Sequence, residues 1–138
     1  MKRVLFDSDV LLDILAQRQE FIVFSALALD TVAQGKVQGY VSGHAVTNIF
    51  YILRRQLGNK VSRELISRLL QRLQVASVTD EVIRRALQSS IADFEDAVTS
   101  ETANAEGLEL IVTRNQSDFV ASSIPAMLPE EFLATLSE

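Results

Sequence analysis

The chain of 138 residues has no cysteine, which excludes disulfides and thiolate metal centres. Its one histidine, His44, leaves too few nitrogen or sulfur donors for a zinc site. No stretch approaches the roughly 18 apolar residues needed to span a bilayer. Lys2 and Arg3 precede only the short run VLF before Asp7, far from the about 7 to 15 apolar residues of an export core. A reducing, cytoplasmic setting is therefore expected, with no membrane partner. Basic residues are also scarce: 13 Lys and Arg stand against 18 Asp and Glu, for a net charge of −5. A protein that grips nucleic acid through its phosphates is usually basic. Nucleic acid is thus not the partner, or it is met locally, or a bound divalent cation inverts the field at the site.

What is present is enough apolar material for a core, at 48% of the residues. The length suits one domain, and no repeat or linker divides it, so a single domain over residues 1–138 is expected. VLF, residues 4–6, reads as a strand ending at Asp7, with a helix beginning near Asp9. Residues 21–34 have helical apolar spacing and stop at Gly35, and 37–42 lean towards a strand. Helices are predicted over 44–57, ending at Gly58, and over 61–74, with Leu65, Leu69, Leu70 and Leu73 on one face. Residues 75–78 read as a strand, and Thr79 caps the helix after it. A helix opens at Asp93 and closes at Gly107, a buried strand covers 108–113, and Pro129 begins a final helix. Strands alternating with helices predict an α/β domain with a largely parallel sheet.

Ligands of open parallel sheets collect outside the carboxyl ends of the strands. Asp7 ends the first strand, Asp118 follows the strand at 108–113, and Asp93 and Asp96 open a helix. Four carboxylates from three segments then converge on one edge. Such crowding is tolerated if some hold protons or if a cation neutralises them. All-oxygen ligands favour Mg²⁺ or Mn²⁺. Each residue also has a plainer reading. Asp93 and Asp7 suit helix caps, Asp96 suits the helix dipole, and Asp118 suits a turn. Asp13 is expected on a solvated helix face.

VLFDSDVLLD at 4–13, DFEDAV at 93–98, IVTRNQSDF at 111–119 and the closing IPAMLPEEFL together resemble a PIN domain. The resemblance implies a three-layer α/β/α sandwich with a central, mainly parallel sheet. It implies a metal-dependent endoribonuclease using Mg²⁺ or Mn²⁺, with RNA as substrate. For small members it further implies a VapC-like toxin, held by an antitoxin and dimeric. Carried over by position, Asp7, Asp96 and Asp118 become the metal ligands and catalytic residues. The chain departs from the family twice. Asn48 stands where an acidic residue, commonly Glu, is usual, and Asp9 stands where Asn is usual. Asp9 or Asp93 would restore the missing charge.

Arg114 and Asn115 adjoin the acidic site in sequence, so with Asn48 they are candidates for contacting substrate; pairing with a local carboxylate is the plainer role for Arg114. Thr113 either donates to a ligand or satisfies backbone. His44 is expected as a polar residue at a helix start. Phe24, Phe50 and Tyr51 are expected in the core. Arg54, Arg55, Arg63, Arg68 and Arg72 read as solvated helix faces. Two other functions stay open. One is a PIN-like binding or scaffold protein that Asn48 has deprived of catalysis. The other is a phosphatase of the haloacid dehalogenase type, which FDSDVLL also resembles, although Lys36 and Lys60 lie badly for that chemistry.

Overall fold

The computed structural model describes residues 1–136; the last two positions of the expected domain lie outside them. The chain begins with strand β1, Lys2–Phe6, followed by helices α1, Ser8–Leu15, and α2, Ile22–Ala33. Strand β2, Val37–Ser42, leads into the long helix α3, Gly43–Leu69, and then strand β3, Leu73–Ala76. Helices α4, Asp80–Leu87, and α5, Phe94–Glu106, precede strand β4, Leu110–Val112. A single 3-10 turn, Gln116–Phe119, strand β5, Ala126–Met127, and helix α6, Pro129–Leu136, complete the order.

The five strands pair in the order β3-β2-β1-β4-β5, every pairing parallel. Alternation along β1 assigns the two faces. Val4 and Phe6 join the cluster built with α1, α2, α3 and α6, and the Phe6 ring meets Phe132 edge to face at 6.2 Å. Leu5 joins Tyr40, Ala76, Ala103 and Ile111 on the side covered by α5. Val82, Ala86, Ala97 and Val98 then seal α4 against α5. The result is the three-layer sandwich expected from the sequence.

Several boundaries differ from the sequence reading: β1 begins already at Lys2, β4 is shorter than expected at Leu110–Val112, and the largest changes lie around α3. The helix predicted to reach residue 74 stops at Leu69, and β3 begins at Leu73 rather than Val75. Leu73 continues a helical apolar spacing, yet it pairs with Gly39 of β2. A Cβ on Gly39 would lie 2.5 Å from Leu73 and 2.7 Å from Val32, so a residue without a side chain lets β2 approach its cover. The predicted break at Gly58 is a kink: its φ of 79° and ψ of 172° are not helical, and the helical ladder resumes beyond it. Strand β5, only two residues long, has no sequence signal of its own.

At the amino edge of the sheet, Arg3 ties elements together. Its guanidinium donates to the Tyr40 hydroxyl at 2.9 Å and to the Glu106 carbonyl at 2.9 Å, and Glu106 Oε2 lies 3.8 Å away. Among the described residues no helix is long and apolar enough to cross a membrane.

Candidate active site

The strand order fixes where a site can form. From β1 the chain moves to β2 and β3 on one side, then crosses back to β4 and β5 on the other. The switch point lies between β1 and β4, where helices leave in opposite directions and a crevice opens at the carboxyl edge. Asp7 and Thr113, the residues just after these strands, occupy it. The Asp7 amide donates to the Val112 carbonyl at 2.9 Å, which extends the sheet to the brink of the crevice.

Asp7 is the N-cap of α1. Its Oδ1 accepts from the Ser8 amide at 2.8 Å, and its Oδ2 from the Thr113 hydroxyl at 2.9 Å. The residue is only 6% exposed. Burial and the neighbouring charge of Asp9 push its carboxyl up to about 7, against the opposing pull of these two hydrogen bonds. Asp96, half-buried in the first turn of α5, is pushed up to about 6 by burial, then by Asp93, Asp118, Glu95 and Asp9. Asp96 in turn raises Asp7. Asp96 therefore shares a field with Asp7, at the end of β1, and with Asp118, beyond β4. Asp118 is exposed on the 3-10 turn, its amide bonded to the Asn115 carbonyl at 2.9 Å. Asp93 caps α5, accepting from the Asp96 amide at 3.0 Å.

Asp9 is occupied by protein. Its Oδ2 accepts from the Arg114 amide and the Asn115 side chain, each at 3.0 Å, and its Oδ1 from the Val10 amide at 2.6 Å. Burial still raises its carboxyl, with the Arg114 bond opposing. Asp9 thus fastens the loop after β4 to the start of α1. Asn115 is part of that fastening, its amide donating to the Thr113 hydroxyl at 3.0 Å.

Arg114 turns away from the crevice. Its Nε donates to Asp13 Oδ2 at 2.7 Å, and its guanidinium stacks 3.8 Å from the Phe21 ring centre. Asp13 is fully buried, and it also accepts from the Ser25 hydroxyl at 2.9 Å and lies 3.7 Å from Arg18. The solvated face expected for Asp13 is therefore incorrect: two arginines and a serine from outside its helix draw it inward. The core positions expected for Phe24 and Tyr51 are incorrect too, since they are 48% and 54% exposed. The five arginines of α3 and its end are exposed, as expected.

On the β2 side of the crevice, Asn48 of α3 donates to Glu95 Oε2 at 2.9 Å. Glu95 was not singled out in the sequence, where it looks like one more acid in a helix first turn. His44 sits beneath, between the Ser42 and Thr99 hydroxyls. Burial lowers its pKa while Glu95 opposes that shift.

The donor set suits a hard divalent cation, being all oxygen and crowded enough to hold protons near neutrality. Among the described residues, no group of three or more His, Asp or Glu side chains closes round one point.

A wholly parallel α/β sandwich with an acidic crevice at its switch point is the class these features define. The chain belongs to the PIN domain family, whose model matches residues 3–117. No curated protein sequence matches it. Its fold is shared with VapBC2 from Rickettsia felis, crystallised on a promoter DNA fragment, at 12% identity and a TM-score of 0.73 over 91% of this chain and 98% of that one. It is likewise similar to a toxin–antitoxin complex from Klebsiella pneumoniae, at 22% identity and a TM-score of 0.69 over 91% and 97%. A sarcin-ricin loop cleaving VapC toxin from Mycobacterium tuberculosis aligns at 14% identity and a TM-score of 0.63 over 78% and 86%. At these identities the likeness is one of fold. The phosphatase reading gains no support from the family match.

Proposed function

We propose that this chain is a PIN-type endoribonuclease, dependent on Mg²⁺ or Mn²⁺, and the toxin of a toxin–antitoxin pair. One observation carries the reading: Asp7, buried at the switch point, and Asp96, in the first turn of α5, come from separate elements into one acidic crevice, where burial first and neighbouring carboxylates second push both towards neutrality. Carboxylates arranged so that they repel one another are poorly suited to structural work and well suited to a cation. Asp7, Asp96 and Asp118 would hold it. When bound, the cation neutralises this set, shields the phosphate and supports water attack on the phosphodiester. Asp7 is fixed for its part by Ser8 and Thr113, and Asp118 stands at the open mouth, where an entering water or phosphate meets it first. Asp9, Asn115 and Arg114 act behind them by holding the 113–115 loop.

A protein partner is supported by an apolar groove of about 580 Å³ lined by Val46, Phe50, Tyr51, Ile66 and Leu70 of α3 and its end. It suits an antitoxin segment or a second copy of this chain. With RNA as substrate, the chain would act in the cytoplasm as one domain.

The competing reading is a binding protein without catalysis, favoured by the neutral Asn48. Incubating the purified chain with structured RNA separates the two. Cleavage that stops with chelator and returns with Mg²⁺ or Mn²⁺ supports the nuclease. RNA left intact at every cation concentration, although bound, supports the other.

A further inference from the structure

We propose that Glu95 supplies the acidic group on the β2 side of the crevice, and that Asn48 is the residue that positions it. The inference rests on the nuclease reading and names a further residue of the same site. The known carboxylates leave that side bare. Asp7 comes from the end of β1, Asp118 follows β4, and Asp96 rises from α5. The first turns of α3, which flank the crevice after β2, read GHAVTN and contain no acid. Glu95, reaching from α5, covers the gap, and its Oε2 takes the Asn48 amide at 2.9 Å. The bond leaves Oε1 for another partner.

The pairing also accounts for the amide at position 48. A carboxylate there would face Glu95 at hydrogen-bonding distance, and two like charges so close cannot both ionise without penalty. One negative charge fits between the two positions, and here α5 carries it. Glu95 acts on the site from that place: its charge bears on Asp96, its neighbour, and on His44 beneath. A glutamate serving only the helix dipole would satisfy α5 without reaching across to α3.

Titration calorimetry with MnCl₂ on the full chain tests the assignment. Glu95→Gln should weaken Mn²⁺ binding about tenfold or more, as loss of a supporting group does. Asn48→Ala should weaken it in the same direction. The double variant Asn48→Glu with Glu95→Gln returns the charge to α3 and should regain most of the affinity. Glu64→Gln, on an exposed part of α3, should leave binding unchanged. Thermal melting without metal checks that each variant folds. If Glu95→Gln binds Mn²⁺ as the natural chain does while Asp96→Asn loses it, Glu95 has no such role and the nuclease reading stands. If the natural chain takes up no Mn²⁺, both are overturned.

Discussion

The Thr113 hydroxyl donates to Asp7 Oδ2 at 2.9 Å, joining residues 106 positions apart across the switch point. The same hydroxyl accepts from the Asn115 amide. Thr113→Val removes both hydrogen bonds while nearly keeping the shape, and leaves Asp7 Oδ2 and the Asn115 amide without this partner. Loss of buried hydrogen bonding should cost about 1–3 kcal/mol. Because this bond favours the charged carboxylate, its loss pushes Asp7 further up. The destabilisation should therefore be larger at pH 8 than at pH 5, where Asp7 is already protonated in the folded chain. Urea unfolding at the two pH values checks it; equal losses would mean that the hydroxyl does not govern Asp7.

Asp13 binds Arg114 and Arg18 from within α1. Asp13→Asn should destabilise the chain by about 2–4 kcal/mol, somewhat below the loss of a fully buried pair because both arginines keep contact with solvent. Denaturant unfolding measures it. The loop at 113–115 should loosen as well, seen as faster amide exchange at Arg114 and Asn115. A change within about 0.5 kcal/mol, typical of a surface site, would contradict the clasp.

The raised carboxyls make stability depend on pH with a definite sign. A carboxyl that ionises at about 7 when folded, against 3.8 in its ordinary state, binds more protons in the folded chain between those values. Its favourable contribution is complete below about pH 4 and is lost as pH rises through 7. Metal-free protein should thus lose stability between pH 4 and 7 relative to Asp7→Asn, which lacks the titration. Asp96→Asn should flatten the curve only up to about pH 6 and by less, since Asp96 is partly exposed and screened. Melting temperatures across pH in chelator give the comparison. A natural chain that tracks Asp7→Asn throughout would remove the crowding on which the site depends.

Divalent cation should reverse that penalty. A ligand present at a hundred times its Kd stabilises by about 2.7 kcal/mol. At pH 8 Mn²⁺ should raise the melting temperature of the natural chain, chelator should abolish the rise, and Asp96→Asn should show little of it. An equal rise in the variant would place the cation elsewhere.

Much of this was legible in the sequence where the signal is local. An apolar strand cut short by Asp7, a cap at Asp93 and turn formers around Asp118 each announce themselves within a few residues. What escaped is set by distance. Asp13 looks solvated until Arg114, 101 residues away, turns its guanidinium onto it. Glu95 matters because Asn48 meets it from another helix. Leu73 fits a helical stripe and a strand equally well, and pairing with Gly39 decides between them. Phe24 and Tyr51 sit at apolar spacing on helices but on faces that stay exposed among the described residues.

The clasp of Arg3 with Tyr40 and Glu106 occupies the end of the sheet remote from Asp7. The two ends thus divide their duties: one gathers repulsion that the proposed cation would quiet, while the other closes with its charges matched. Durability and reactivity can then be altered separately, and a hardened version of this chain is best sought through substitutions around Arg3.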